Sequence, residues 1–105
     1  MTGPAWIPGS TVGTTTLPLT NQTSAYVVDM TTDCVINCTA NTFTVTLPTA
    51  VGIEGQYFII KNSGTGVITI DGDGSETIDG AGSKTLSVQY ESMTVVSDGA
   101  NWIVV

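Results

Sequence analysis

The chain has 105 residues, nine carboxylates against two amines, no histidine and a net charge of −7. That balance excludes nucleic acid and anionic membrane surfaces as partners, because no basic patch exists to neutralise phosphates. The absence of histidine removes the usual general base and the commonest zinc ligand. The length fits one small domain with a single core and no deep cavity, and threonine and serine stand where a cellular surface carries charge, as suits an extracellular or particle-surface β protein.

Residues 1–23 (MTGPAWIPGSTVGTTTLPLTNQT) hold Pro4, Pro8 and Pro18 and read as an extended arm. Trp6, Ile7 and Pro8 form an apolar anchor within it, able to dock on the chain's own core, a neighbouring copy or another protein. Residues 24–105 read as the β body. Its strands are SAYVVDMT (24–31), CVINC (34–38) and TFTVTL (42–47), the last with Phe43, Val45 and Leu47 inward and Thr42, Thr44 and Thr46 outward. Pro48 ends that strand.

The centre of the pattern is QYFIIKNSGTGVITID (56–71), in which YFII and VITI flank a polar, glycine-containing reversal. It reads as a β-hairpin, with YFII a central strand covered on both faces and Ile68 and Ile70 sharing a face. A small strand follows at ETI (76–78). KTLSVQY (84–90) places Leu86, Val88 and Tyr90 on one face, and MTVV (93–96) and NWIVV (101–105) close the body around an Asp98-Gly99 turn. About nine short strands at regular spacing, with no helix, predict an all-β fold: an antiparallel β-sandwich or jelly-roll-like barrel. Its exposed edges favour a symmetric homo-oligomer.

Little in the chain carries chemistry. A serine nucleophile has only Lys61, Lys84 or a carboxylate as its base, so no enzyme is expected. Asp71, Asp73, Glu76 and Asp79 resemble a calcium loop in their alternation, but Gly82 stands where such a loop places its bidentate glutamate. The Asp-Gly pairs read as turns, and no metal or cofactor is assigned. Cys34 and Cys38, four residues apart on one strand, lie roughly 13 Å apart by the strand rise, too far for a disulfide, and read as two buried thiols. Tyr26, Tyr57, Tyr90, Trp6 and Trp102 could stack on sugars, with Tyr57 and Trp102 assigned to the core. No run reaches the length of a membrane span, and no charged segment followed by an apolar one marks a secretory signal. Asn21-Gln22-Thr23 and Asn37-Cys38-Thr39 therefore read as chance glycosylation patterns.

Four segments occur in a recognisable order: TFTVTLPTA, YFIIKNSGTGVITID, ETIDG and SDGANWIVV. From about Tyr26 onward this order resembles a β-rich module of tailed-bacteriophage virion surface proteins, found in head fibres, decoration or cement proteins and tail fibres. The resemblance implies a virion-surface location and a homotrimer. A 105-residue chain with an arm suits a capsid decoration, cement or head-fibre protein that binds the major capsid protein through Trp6, Ile7 and Pro8. The alternative it implies is a tail-fibre, receptor-binding protein that recognises host surface glycans.

Overall fold

Short β-branched runs punctuated by turn residues fold into nine strands in a computed structural model that describes residues 16–105. They are β1 (Leu19–Gln22), β2 (Tyr26–Val27), β3 (Val35–Cys38), β4 (Phe43–Thr46), β5 (Tyr57–Asn62), β6 (Ile68–Asp71), β7 (Ser83–Leu86), β8 (Ser92–Ser97) and β9 (Trp102–Val104). One sheet has the order β1-β3-β5-β8-β9 and the other β2-β4-β6-β7. The chain is an all-β sandwich with β5 at the centre of the larger sheet. Period-two alternation buries one face of each sheet: Ile36, Cys38, Phe58, Ile60 and Val95 from the larger, Val45, Ile68, Ile70 and Leu86 from the smaller. Phe58 and Trp102 meet as a tilted ring pair with centroids 5.7 Å apart.

The strand directions differ from the antiparallel expectation. The pairs β1–β3, β3–β5, β2–β4 and β4–β6 are parallel, and β5–β8, β6–β7 and β8–β9 are antiparallel. The chain alternates between sheets, so β1–β2, β3–β4 and β5–β6 are three arches stacked in parallel register. YFII and VITI consequently do not form a hairpin. They lie in different sheets, and residues 63–67 carry the chain across the sandwich.

Asn62 explains why this segment crosses over instead of folding back. Its side chain is fully buried. Nδ2 donates to the carbonyls of Gly66 and Leu86, each at 2.9 Å, and Oδ1 accepts from the Gly64 amide at 3.1 Å. One side chain thus fixes the 63–67 arch and ties it to the end of β7 in the other sheet. The arch also lies directly against the one before it. A Cβ on Gly64 would stand 3.0 Å from the Ala40 Cα, and one on Gly66 would collide with the Asn41 carbonyl. The glycines permit stacking.

Four further expectations differ from the structure. The 1–23 arm overlaps the sandwich, because Leu19–Gln22 pair with β3; residues 1–15 lie outside the described residues. ETI forms no strand: Ile78 makes only isolated bridges, to Ala81 and Trp102. The strand expected over 84–90 stops at Leu86, and Val88 and Tyr90 are exposed instead of sharing its buried face. YFII is covered on one face: Phe58 and Ile60 are buried, whereas Tyr57 and Ile59 are half-buried on the outer face.

Two outcomes follow from this packing. Replacing Asn62 by alanine orphans two carbonyls and an amide, and should cost roughly 2–4 kcal/mol in urea denaturation; a loss under about 0.5 kcal/mol would remove Asn62 from its central place. Tyr26 donates to Asp33 Oδ2 at 2.5 Å, and that bond, with burial and the Asp33 charge, pushes its hydroxyl from 10.0 up to about 12. Because the folded state favours the protonated phenol, its contribution is complete below pH 10.0 and is lost as pH rises towards about 12. Thermal melts across that range should fall less steeply for Tyr26→Phe than for the parent; parallel profiles would show that the bond is not coupled to folding.

Candidate functional site

The two outer faces of the sandwich differ in chemistry. On the smaller sheet, the register sets Thr44, Thr69 and Thr85 in one row and Val27, Thr46, Asp71 and Ser83 in the next. On the larger sheet, Leu19, Val35, Ile59 and Thr94 form one row and Tyr57, Val96 and Ile103 another. The third row there is polar: Asn21, Asn37, Lys61 and Ser92. Asn37 Nδ2 donates to Asn21 Oδ1 at 2.9 Å, and the Ser63 hydroxyl donates to Asn37 Oδ1. This face therefore grades from apolar to amide, hydroxyl and ammonium groups towards the end where the arch 63–67 crosses.

At that end the chain passes from β7 to β8 through residues 87–91, and this loop is closely fixed. Glu91 Oε1 accepts from the amides of Ser87 at 3.0 Å and Val88 at 3.2 Å. The Gln89 side-chain Nε2 donates to the Ser63 carbonyl at 3.2 Å. The Tyr90 amide donates to the Asn62 carbonyl, and the Asn62 amide donates to the Glu91 carbonyl at 2.9 Å. Lys61 Nζ donates to the Tyr90 carbonyl at 2.8 Å and lies 5.8 Å from the centroid of its ring. Tyr90 has φ +71 and is 63% exposed. Left-handed backbone costs a side-chain-bearing residue roughly 1–2 kcal/mol, and here a bulky aromatic adopts it at the surface.

Among the described residues Tyr90 is the one exposed aromatic. Trp102 is in the core, Tyr57 is half-buried with a hydrogen bond to Cys34, and Tyr26 is tied to Asp33. The alternation in KTLSVQY predicts a strand through Tyr90, whereas β7 ends at Leu86. The signal that could have placed it correctly is Glu91, whose carboxylate closes a turn on the amides three and four residues earlier.

The other sequence-derived candidates separate. Trp6, Ile7 and Pro8 lie outside the described residues. Glu76 accepts from the Thr49 hydroxyl and the Ala50 amide, while Asp79 accepts from the Val104 amide. These two carboxylates are spent on fixing different segments, and no group of three or more His, Cys, Asp or Glu among the described residues could hold a metal ion. Cys34 and Cys38 are free and buried. Burial pushes both thiols up, Cys38 to about 11, which leaves them inert at neutral pH.

The phage depolymerase C-terminal beta sandwich domain family matches residues 10–103. The chain belongs to that family. The nine-strand sandwich agrees with the family's description, and membership makes the chain a phage protein module of the depolymerase type. The match spans the three arches and the 87–91 loop alike, and it begins ahead of β1. No curated protein matches the chain. Membership of the depolymerase C-terminal family gives the chain a phage setting; the decoration and head-fibre readings gain nothing from it.

The backbone at Tyr90 can be tested without reference to any ligand. Glycine and alanine both remove the ring, but only glycine removes the left-handed penalty. Tyr90→Gly should therefore be more stable than Tyr90→Ala by about 1 kcal/mol in urea unfolding. An alanine variant as stable as the glycine one would contradict the strained backbone.

Proposed function

We propose that the chain is a non-catalytic module of a phage tail fibre or tail spike, exposed on the virion, that recognises host surface glycans. The observation that carries this reading is the family match across residues 10–103 to a depolymerase C-terminal sandwich. A binding role in place of a catalytic one is supported by the side chains available. The chain contains no histidine, Lys61 is engaged with Tyr90, and the buried thiols are held protonated. The charge of −7 speaks against nucleic acid. Among the described residues no helix is long and apolar enough to cross a membrane.

The module works in this reading as a homotrimer. Support comes from the apolar rows on the outer face of the larger sheet, where Leu19, Val35, Ile59, Val96 and Ile103 stand in place of the hydroxyls that cover the smaller sheet. An apolar sheet face of this kind is what an association between copies would cover. The alternative, a capsid decoration protein that grips the major capsid protein through Trp6, Ile7 and Pro8, has no counterpart in the family's description.

Gold-labelled antibody against the chain, viewed on purified virions, should decorate tails. Gold spread over heads would restore the capsid reading, and particles without gold would remove the virion assignment altogether.

A further inference from the structure

We propose that Tyr90 and Lys61 form a sugar-binding point at the arch end of the sandwich, with the Tyr90 ring as a platform for one pyranose. The inference rests on the glycan-binding reading above and assigns it to residues. It starts from an excess in the structure: the turn at residues 87–91 has no use for an aromatic side chain. What the turn asks of residue 90 is an amide for the Asn62 carbonyl and a carbonyl for Lys61 Nζ, and any residue but proline supplies both. The backbone at φ +71 suits glycine or asparagine. The ring is exposed to solvent, and the Lys61 ammonium lies 5.8 Å from its centroid. A strained, over-determined backbone that displays a large ring to solvent is the arrangement expected where the ring meets something outside the protein.

The surroundings define the chemical class. An apolar peptide needs an apolar groove, whereas this end sets Lys61, Ser63 and Gln89 beside the ring, with Val88 the single exposed aliphatic of the 87–91 loop. A polyphosphate, with several charges on a short stretch, is repelled by the chain's charge of −7 more than a sugar carrying one carboxylate or none. A pyranose has an apolar C–H face to lie on the ring and hydroxyls for the polar groups beside it. One of the three ammonium protons of Lys61 is donated to the Tyr90 carbonyl, which leaves two for a sugar hydroxyl or a uronate carboxylate. The site is prearranged, since Glu91, Gln89 and the Asn62 backbone hold the loop before any ligand arrives.

The test uses fluorescently labelled full-length chain on cells of the phage's host, with and without periodate oxidation of the surface sugars. The parent chain and Tyr90→Trp should bind untreated cells and lose binding after oxidation. Tyr90→Gly should melt at or close to the parent temperature and bind about tenfold or more weakly, the effect of removing an interface anchor. Tyr90→Gly binding as well as the parent would overturn this site and leave the glycan reading standing. Parent binding that is absent, or that survives oxidation, would end the glycan reading and the site with it. Competitor sugars separate the two sources of the pyranose. Block by galacturonate or glucuronate, weakened in Lys61→Gln, marks an acidic sugar; block by glucose or galactose marks a neutral one; block by none of them overturns the site.

Discussion

The buried amide of Asn62 is the constraint on which the rest of the sandwich depends. It sits at the last residue of the central strand, where a hairpin would ordinarily begin, and its three hydrogen bonds turn the chain out of one sheet and into the other. An amide buried without partners carries a desolvation penalty of several kcal/mol; fully satisfied, it selects one path for the chain over its competitors. The selected path fixes the topology. Once β6 lies opposite β5 instead of beside it, β4 and β8 become their neighbours and the stack of arches is determined. The same residue reaches the surface through its backbone, holding Tyr90 and Glu91 in place. Core topology and loop geometry therefore share one anchor.

Much of the fold was legible from residue pattern. Phe43, Val45 and Leu47 alternate with threonines as an inward face must, and Ile68 and Ile70 share a buried side. Strand direction was not legible, because an apolar run has the same alternation whether its neighbour is parallel or antiparallel. The arches escaped notice for a related reason. Leu19 stands opposite Val35 and Val35 opposite Ile59, so the second step along the chain is longer than the first and leaves no fixed period. The residues that betray stacking are Gly64 and Gly66, which a hairpin reading also accommodates as turn glycines. Only their approach to Ala40 and Asn41 distinguishes the two.

The candidate site was less legible still. In the stretch KTLSVQY, Leu86, Val88 and Tyr90 keep a strand period through a segment that is half strand and half turn, and what breaks the strand is the Glu91 carboxylate bonding backward to the amides of Ser87 and Val88. A local side-chain bond overrode the propensity of the run. The reverse holds for Glu76 and Asp79, which look like ligands in sequence and act as caps for separate segments in the fold. Side chains that bond to backbone amides across long stretches of chain are invisible to any pattern of spacing.

The parallel stack of arches has a consequence for how stability is distributed. Each arch touches chiefly the one before and the one after it, so the arch half of the domain behaves as a short one-dimensional array. The inner arch, β3–β4, is paired on both sides, whereas among the described residues β1 and β2 are paired on one side only. At the opposite end the β5–β6 arch is covered by β7 and β8, with Lys84 turned inward on the edge strand β7 in the manner by which sheet edges discourage further pairing. The resistance of backbone amides to solvent exchange should therefore rise from β1 towards β5. The most protected rung is then the one that ends in Asn62 and carries Lys61 on its outer face, so the Tyr90 loop is attached to the least yielding part of the molecule.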